Sequence, residues 1–332
     1  MNTIDQHIRD DFALYNGDCC EVIQTLPSNS LDFTVFSPPF TSLYIYSDSL
    51  RDMGNCASDG EFFEHYSFLL GELLRATRPG RLCAVHCKDL VDYKNSAGRA
   101  GLRDFPGELI RAHEAAGWKY HSRVTIWKDP VDEMQRTKAH GLLHRQLCND
   151  SSFSRQGLPD YLLVFRKWAM TEEEEALVKP VNGLDNEYRF DVSNEPYIGT
   201  EPPEFKDARD YSINVWRKYA SPVWFDIDMF DVLNVQQARA NEDEKHLCPL
   251  QLQVIGRAVQ LWSNPGDVVF TPFLGIGSEV VGALRANRRG IGVELKPEYF
   301  RVAVRNCEAQ IATRAQFSLF ESEAPALLEM AL

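Results

Sequence analysis

A serine, two prolines and a phenylalanine follow one another in Ser37-Pro38-Pro39-Phe40, directly after the apolar run 31–36. Consecutive prolines fix an extended backbone, hold a carbonyl group in place and remove two N–H donors. The Ser37 oxygen and the Pro38 carbonyl could then accept both N–H bonds of an exocyclic amine and turn its lone pair toward an electrophilic methyl group. The tetrapeptide is therefore a candidate catalytic loop, although an isolated match of this kind is also compatible with a simple turn.

A second loop that could bind a ligand lies far downstream. There an apolar strand in the segment 267–279 runs into Gly275-Ile276-Gly277 and then into a helix from Ser278. Glycines let bare backbone approach a ligand, and the N–H groups at a helix start attract anionic groups. A Gly-x-Gly turn alone is also a common tight connection between a strand and a helix. The segment therefore predicts a ligand site only together with the strand that follows it.

The strand predicted over residues 290–295 carries a carboxylate, Glu294, near its end. An acid at this place can accept hydrogen bonds from both hydroxyls of a ribose, so the turn and Glu294 together predict a site for a nucleoside-containing cofactor. Gly282 does not complete the pattern Gly-x-Gly-x-x-Gly, which counts against NAD. The alternative reading of Glu294 is an exposed acid at a strand end.

These two loops, in this order, resemble those of prokaryotic and phage DNA amino-methyltransferases, which modify cytosine N4 or adenine N6. The catalytic loop precedes the cofactor loop, as in the β-type order of this family, and the resemblance runs from Leu14 to about Ile311. It implies S-adenosylmethionine as the cofactor and double-stranded DNA as the partner. It also implies that Phe40 stacks on a base that has left the duplex, because the target atom is otherwise buried in the helix.

The resemblance assigns functional roles to individual positions of this sequence. It implies that Ser37, Pro38, Pro39 and Phe40 form the catalytic loop. The implied cofactor-binding residues begin with the acid beside the adenine and finish at the end of the ribose-binding strand. They are Asp18, Pro249, Thr271, Pro272, Phe273, Gly275, Gly277, Ser278, Glu294 and Leu295. Thr271 departs from the family pattern, because most relatives carry aspartate there. The departure removes a negative charge near the sulfonium and amino groups of the cofactor.

A basic stretch lies between residues 134 and 157 of an otherwise acidic chain. Its cations, opposed only by Asp150, favour a loop that contacts DNA phosphates, with an ordinary charged surface as the alternative. These DNA-binding candidates are Arg136, Lys138, Arg145 and Arg155. His140 and His144 have the spacing i, i+4 but lack the glutamate of H-E-x-x-H, so no metal site is predicted.

Apolar runs that alternate with helical patterns predict an α/β protein with a mostly parallel sheet and helices on both faces. Strands are expected over 31–37, 81–87, 124–127, 161–165 and 290–295, with another that ends at 271, and helices over 61–77, 105–116, 249–262 and 297–311, with another from 278. The resemblance implies a Rossmann-like S-adenosylmethionine-dependent methyltransferase fold with seven strands in permuted order. The predicted parts are a catalytic half (1–168), a loop-rich target-recognition insert (169–245), a cofactor half (246–315) and a tail (316–332).

Composition limits the partners and the compartment. The 332 residues carry a formal net charge of −13, which argues against a protein that coats nucleic acid through its overall field, so any DNA contact must be local. The eight cysteines include no C-x-x-C pair, so neither zinc nor a disulfide framework is predicted. No signal segment and no apolar run of membrane-spanning length occurs, and we expect a soluble cytoplasmic protein of a prokaryotic or phage-infected cell.

Three functions stay open on the sequence. The leading one is methylation of an exocyclic amine in DNA, with a lean toward cytosine N4 because Ser37 is a neutral acceptor where many adenine enzymes carry aspartate. A protein-glutamine or RNA-guanine methylase uses a similar loop, but places it after the cofactor loop. A DNA-binding regulator on a decayed methylase scaffold is motivated by Thr271. The recognition sequence, a homodimer and a cognate nuclease do not follow from the sequence, and a carbon-5 methylase would need a Pro-Cys dipeptide that the chain lacks.

Overall fold

The computed structural model describes residues 3–39, 52–56, 58–92, 98–137, 143–178, 208–234 and 249–329, without the side chains of 136–137, 208–212 and 315–329. The chain divides into two compact units: unit 1 comprises Met1–Arg78 and Phe230–Leu332, and unit 2 comprises Pro79–Met229. Unit 1 is thus built from both ends of the sequence. The predicted boundaries near residues 168 and 245 stay a prediction, because much of the sequence around the insert lies outside the described residues.

The described residues form eleven strands and ten α-helices. The strands are β1 (Asp5–Ile8), β2 (Phe12–Asn16), β3 (Leu31–Phe36), β4 (Thr77–Cys87), β5 (Leu90–Asp92), β6 (Gly101–Arg103), β7 (Lys119–Ile126), β8 (Asp160–Arg166), β9 (Val223–Trp224), β10 (Val268–Thr271) and β11 (Arg289–Glu294). The helices are α1 (Cys19–Thr25), α2 (Asp59–Ala76), α3 (Phe105–Ala115), α4 (Pro130–Thr137), α5 (His144–Asn149), α6 (Glu172–Val178), α7 (Ala208–Tyr219), α8 (Leu252–Trp262), α9 (Ser278–Arg285) and α10 (Pro297–Glu329).

Unit 1 contains five strands in the order β1-β2-β11-β10-β3. The strands β2, β11, β10 and β3 are parallel to their neighbours, and β1 is antiparallel to β2. The register places Thr271 beside Gly292 and Glu294 beside Asn16. Because the central strands are parallel, their carboxyl ends and the loops that follow them lie at one edge of the sheet. The predicted parallel α/β architecture is confirmed in this unit.

The strand β3 is buried at every residue, as expected for a strand with helices on both faces. Its charged residue, Asp32, has two partners at the start of the strand. One carboxylate oxygen accepts from Arg78 Nη1 at 2.7 Å, and the other accepts from the backbone N–H of Val268 at 2.9 Å. Asp32 therefore ties the beginning of β3 to the beginning of β10.

The helix α9 packs against its neighbours so closely that two contacts require glycine. A Cβ atom on Gly282 would overlap the Ile255 side chain of α8, and a Cβ on Gly290 of β11 would lie 2.5 Å from Val280 Cγ1. Every residue of α9 except the last is buried. This enclosure fixes the amino-terminal end of α9 at the edge of the sheet where the strands end.

In unit 2, β4, β8, β7 and β9 are neighbours in that order, and β5 and β6 form a separate antiparallel two-stranded sheet. The strand β8 is antiparallel to both neighbours, and β9 is parallel to β7. Trp224 of β9 is buried, and its indole N–H donates to the carbonyl of Tyr219 at the end of α7 at 2.9 Å. Both elements lie in the stretch 169–245 that the sequence predicts to be loop-rich, so this stretch also contributes regular structure.

An ionic cluster is buried in unit 2. Asp160, at the start of β8, accepts from His86 Nε2 of β4 at 3.0 Å and pairs with Lys128 Nζ beyond β7. Burial alone would raise the pKa of Asp160, but the adjacent Lys128 and His86 hold it below its ordinary value. The carboxylate therefore stays ionised and joins the ends of three strands.

Several element boundaries differ from the sequence-based expectation, among them the start of β4 and the end of α10. The sequence 78–80 predicts the turn that closes a helix, but β4 begins already at Thr77. The reason is a long-range pairing, because the N–H of Gly80 donates to the carbonyl of Lys167 at 2.8 Å and the N–H of Lys167 donates to Arg81 at 3.0 Å. The helix α10 also continues to Glu329 rather than ending near residue 311. Within the described ranges, no helix is both long and apolar enough to cross a bilayer.

Replacement of Gly290 by alanine should destabilise unit 1, because the new Cβ would overlap Val280. Overpacking of a core costs roughly 1–3 kcal/mol, which would lower the urea midpoint of unfolding. The matched control is Gly71→Ala in α2, where nothing lies within 4 Å of the added Cβ. Alanine is the better helix former, so this variant should be unchanged or more stable by up to about 1 kcal/mol. Wild-type stability in Gly290→Ala would contradict the close contact between α9 and β11.

Candidate active site

The end of β3 carries the predicted catalytic loop. Ser37 is partly buried, and Pro38 and Pro39 are buried, so the proline pair is held rigidly in unit 1. Phe36, the last residue of β3, contacts Phe273 with the ring centroids 5.6 Å apart. Phe273 belongs to the loop after β10, so this contact brings the predicted catalytic loop beside the predicted cofactor turn.

Phe40 lies outside the described residues, and its role as a stacking ring stays a prediction. The same holds for Lys138 and for the side chain of Arg136. Of the other two predicted DNA-binding residues, Arg145 is exposed on α5, and Arg155 Nη1 donates to the carbonyl of Gln156 at 2.7 Å. All four residues belong to unit 2, and their contact with DNA also stays a prediction.

The cofactor turn after β10 is shaped by glycine at two positions. Gly275 and Gly277 have φ angles of 54° and 98°, in the left-handed region where other residues are strained. A Cβ on Gly277 would in addition lie 3.2 Å from Ala303 Cα. Asn306 Nδ2 donates to the carbonyl of Ile276 at 2.8 Å. The turn is thus a fixed cradle of bare backbone at the start of α9.

Glu294 clamps this turn to the end of β11. One carboxylate oxygen accepts from the N–H of Gly275 at 2.7 Å, and the other accepts from the N–H of Lys296 at 2.8 Å. Burial, with a smaller contribution from the charge of Asp52, raises the pKa of Glu294 to about 7 against the lowering effect of these two hydrogen bonds. Each carboxylate oxygen retains a lone pair that a ribose hydroxyl could use. The predicted ribose acid is therefore already oriented by the backbone.

The end of β2 is fastened to the same place. Asn16 Nδ2 donates to the carbonyls of Glu294 at 2.7 Å and Leu295 at 3.0 Å. Asp18, two residues further on, caps α1 by accepting from the N–H of Cys20 at 2.7 Å. The structure thus brings Asp18, the glycine turn and the end of β11 to one edge of the sheet.

Two hydroxyl groups of the cofactor turn are buried without a hydrogen-bond partner among the residues that the structure describes. They belong to Thr271, at the end of β10, and to Ser278, the first residue of α9, which are 1% and 3% exposed. Buried polar groups are normally bonded, so these two call for an explanation. A polar ligand above the bare glycine turn would supply the missing partners, and the residues present therefore fit a cofactor with hydroxyl and charged groups.

The remaining predicted cofactor residues flank these elements. Pro272 is buried and Phe273 partly buried directly after β10. Pro249 stands three residues before Leu252, whose N–H donates to the carbonyl of Asp231 at 2.8 Å at the start of α8. The cofactor role of Pro249 stays a prediction.

Sequence reasoning missed three polar residues of this region. Asp52 caps the short 3-10 turn Met53–Asn55 by accepting from Gly54 at 2.8 Å, and its charge acts on Glu294. The capping pattern of Asp52 was readable from the sequence, but its proximity to Glu294 is a tertiary effect. Asn16 and Glu279 gave no local signal of a role, because only the folded chain shows what surrounds them.

One group of described residues has the spacing of metal ligands. The ligand atoms of Asp18, Cys19 and Cys20 lie within 4.8 Å of one another. The three residues are consecutive at the start of α1, where Asp18 already serves as a cap. The prediction that the protein needs no metal stays untested.

Comparison with known proteins identifies the class of this chain. Residues 31–305 match the family model N6_N4_Mtase, which describes a DNA methylase. The Type II methyltransferase M.BglI of Bacillus subtilis is 22% identical over 349 residues, which covers 91% of this chain and 87% of the relative. The match to the family model covers well over half of the chain, so the protein belongs to this DNA methylase family.

Two solved structures share the fold. The putative DNA modification methylase TTHA0409 of Thermus thermophilus, crystallised with S-adenosyl-L-methionine, has a TM-score of 0.58 and 20% identity, over 90% of this chain and 95% of that one. The cytosine-N4-specific PvuII DNA methyltransferase has a TM-score of 0.52 and 14% identity, over 92% and 90%. The predicted methyltransferase fold is confirmed, although its main sheet has nine strands within the described residues rather than the predicted seven. Family membership confirms the predicted class of DNA amino-methyltransferase and its cofactor, S-adenosylmethionine.

Glu294 should make the cofactor-free protein less stable as the pH rises. Its pKa is about 7 in the folded state, above the unfolded value of about 4.3. The folded chain therefore holds the proton more tightly, and the stability present below the unfolded pKa is lost as the pH rises through about 7. In Glu294→Gln, the fall in Tm from about pH 5 to about pH 8 should be shallower than in wild type by circular dichroism. Glu298→Gln, at a surface pair with Arg301, is the control, and equal slopes in all three proteins would contradict the assignment.

Proposed function

We propose that this protein transfers a methyl group from S-adenosylmethionine to the exocyclic amino group of a flipped base in double-stranded DNA, at cytosine N4 or adenine N6. The observation that carries the proposal is the contact between Phe36 and Phe273, which sets Ser37-Pro38 beside the glycine turn in a chain of the DNA methylase family. The curated relatives that support DNA as the substrate include Type II methyltransferases. The proposed setting is the cytoplasm of a prokaryotic or phage-infected cell.

The cofactor would lie across the ends of β10 and β11. In this arrangement Glu294 accepts the ribose hydroxyls, Asp18 faces the adenine, and the unbonded hydroxyls of Thr271 and Ser278 bond the polar groups above the turn. The bare backbone at Gly275 leaves room for the ligand, whereas Gly277 allows the close approach of Ala303. When bound, the cofactor supplies an electrophilic methyl group.

The catalytic loop would orient the acceptor amine. The Pro38 carbonyl and the Ser37 oxygen each accept one N–H of the amine, so the nitrogen lone pair points at the methyl carbon, and Phe40 stacks on the flipped base. The cofactor would supply the methyl carbon for the new N–C bond and its sulfur would keep the electron pair of the S–C bond, while one amine proton would leave to water. No covalent enzyme intermediate is required. Arg136, Lys138, Arg145 and Arg155 are the proposed phosphate contacts of the DNA.

A second candidate is a DNA-binding regulator with weak or no methyl transfer. The observation in its favour is Thr271, which is neutral and buried at the end of β10. A regulator of this kind would bind DNA yet leave no methyl mark. Measurement of methyl transfer therefore separates the two candidates.

Variants of the two loops should divide catalysis from cofactor binding. Ser37→Ala removes an acceptor of the amine, and we expect methyl transfer from radiolabelled S-adenosylmethionine to fall at least about tenfold while cofactor affinity is nearly unchanged, a loss of about 1.4 kcal/mol in transition-state stabilisation. Phe40→Ala should act in the same way. Glu294→Ala should instead weaken cofactor binding by calorimetry. Equal losses of cofactor affinity in folded Ser37→Ala and Glu294→Ala would refute this division of roles.

The target base is expected to be cytosine, because Ser37 is a neutral acceptor. Mass spectrometry of nucleosides from DNA of cells that express the protein decides the question, with cells that express Ser37→Ala as the control. N4-methylcytosine that is absent from the control supports cytosine. N6-methyladenine alone would overturn the choice of base and leave the methyltransferase assignment in place, whereas no methylated base would favour the regulator.

A further inference from the structure

Glu279 is a buried acid in the first turn of α9, directly after the glycine turn. It is only 5% exposed, although glutamate is rarely buried without a partner. Acids are common at helix starts because they complement the helix dipole, but such acids are normally solvated. Glu279 is buried like the rest of α9 before its last residue, so the presence of an acid here calls for a separate reason.

Among the residues that the structure describes, no cation forms an ion pair with the Glu279 carboxyl, and only its own backbone N–H favours the charged form. Burial raises its pKa to about 8, and the neighbouring Glu294 adds to the rise. An unpaired carboxyl in this environment costs stability unless a ligand compensates for it.

The charges around the glycine turn are mostly negative. The charge of Glu294 raises the pKa of Glu279, and the charge of Asp52 raises the pKa of Glu294, so three carboxyl groups lie in this region. Lys296 offsets the charge at Glu294, but its Nζ lies 4.6 Å above the ring centroid of Tyr299. A site with this balance favours a cationic ligand group, which would pair with a carboxylate that is already desolvated.

A related feature of the glycine turn is the neutral residue at the end of β10. The neutral hydroxyl of Thr271 ends β10 at the place where the family resemblance implies an aspartate, and it has no partner within the described residues. The turn therefore has no carboxylate at the strand end, but it has one on the first turn of the helix that follows. In the sequence, Thr271 lies before the two glycines of the turn and Glu279 lies after them.

We propose that Glu279 binds the α-ammonium group of the methionine part of S-adenosylmethionine and replaces the charge that Thr271 does not provide. This inference rests on the proposed function. The ammonium is favoured over the sulfonium because it has three N–H donors for a carboxylate, whereas the sulfonium has none. The carboxylate on the same carbon would meet the start of α9, where the N-cap Gly277 provides no side-chain cap.

The test compares three ligands by calorimetry on wild type and on Glu279→Gln, which keeps the shape of the side chain. S-adenosylmethionine and S-adenosylhomocysteine both carry the ammonium, whereas methylthioadenosine lacks the amino-acid part. We expect Glu279→Gln to lose about tenfold or more in affinity for the first two ligands and none for the third. The Tm of the ligand-free variant should be equal to or above that of wild type, because a buried unpaired acid has been removed. Glu298→Gln should bind all three ligands like wild type.

A second variant keeps the test decisive. Thr271→Asp in the Glu279→Gln background should restore part of the lost affinity, because it returns a carboxylate to the turn. Equal loss for all three ligands would show a structural role and overturn the inference, as would unchanged binding in Glu279→Gln. Failure of the wild-type protein to bind S-adenosylmethionine would instead overturn the proposed function itself.

Discussion

The hydrogen bond from the Gly275 N–H to the Glu294 carboxylate holds the candidate site in shape. It joins the turn after β10 to the end of β11, while the main-chain carbonyl of Glu294 receives Asn16 from the end of β2. One residue thus sets the relative position of three strand ends. Gly275 has a positive φ, and glycine adopts positive and negative φ about equally readily. The hydrogen bond to Glu294 therefore selects this conformation of Gly275. This arrangement costs free energy, because the Glu294 carboxylate is removed from water.

The charges of the protein are separated according to the ligands they would meet. The acidic groups coupled to Glu294 lie in unit 1, around a turn that fits a cationic cofactor. The cations predicted to meet DNA phosphates all lie in unit 2. A polyanion and a cation cannot be attracted by the same cluster of charges, so a chain with a net charge of −13 must bind them through different surfaces. The overall acidity is therefore compatible with DNA as a substrate.

The sequence predicted what local patterns encode. The buried strand β3 ends at the proline pair, and β10 ends at a turn whose glycines have positive φ, because strand ends and tight turns need particular residues at particular places. Family resemblance added the order of the two loops. The predicted start of β4 was wrong because the sequence 78–80 has the residues of a turn. Only the pairing of this segment with Lys167 makes it part of a strand. The burial of Glu279 was equally hidden, since an acid in the first turn of a helix is normally solvated and complements the helix dipole.

The bond between Asp32 and Val268 spans 236 positions of the sequence. Within unit 1, β3 pairs with β10 and β2 pairs with β11, so the first strands of the chain have their partners near its far end. During synthesis, the largely apolar strand β3 emerges from the ribosome long before those partners exist. Non-local pairing of this kind slows folding and leaves strand edges exposed in the meantime. The nascent amino-terminal segment is therefore a natural client for chaperones, and fragments that stop before residue 268 should be prone to aggregation.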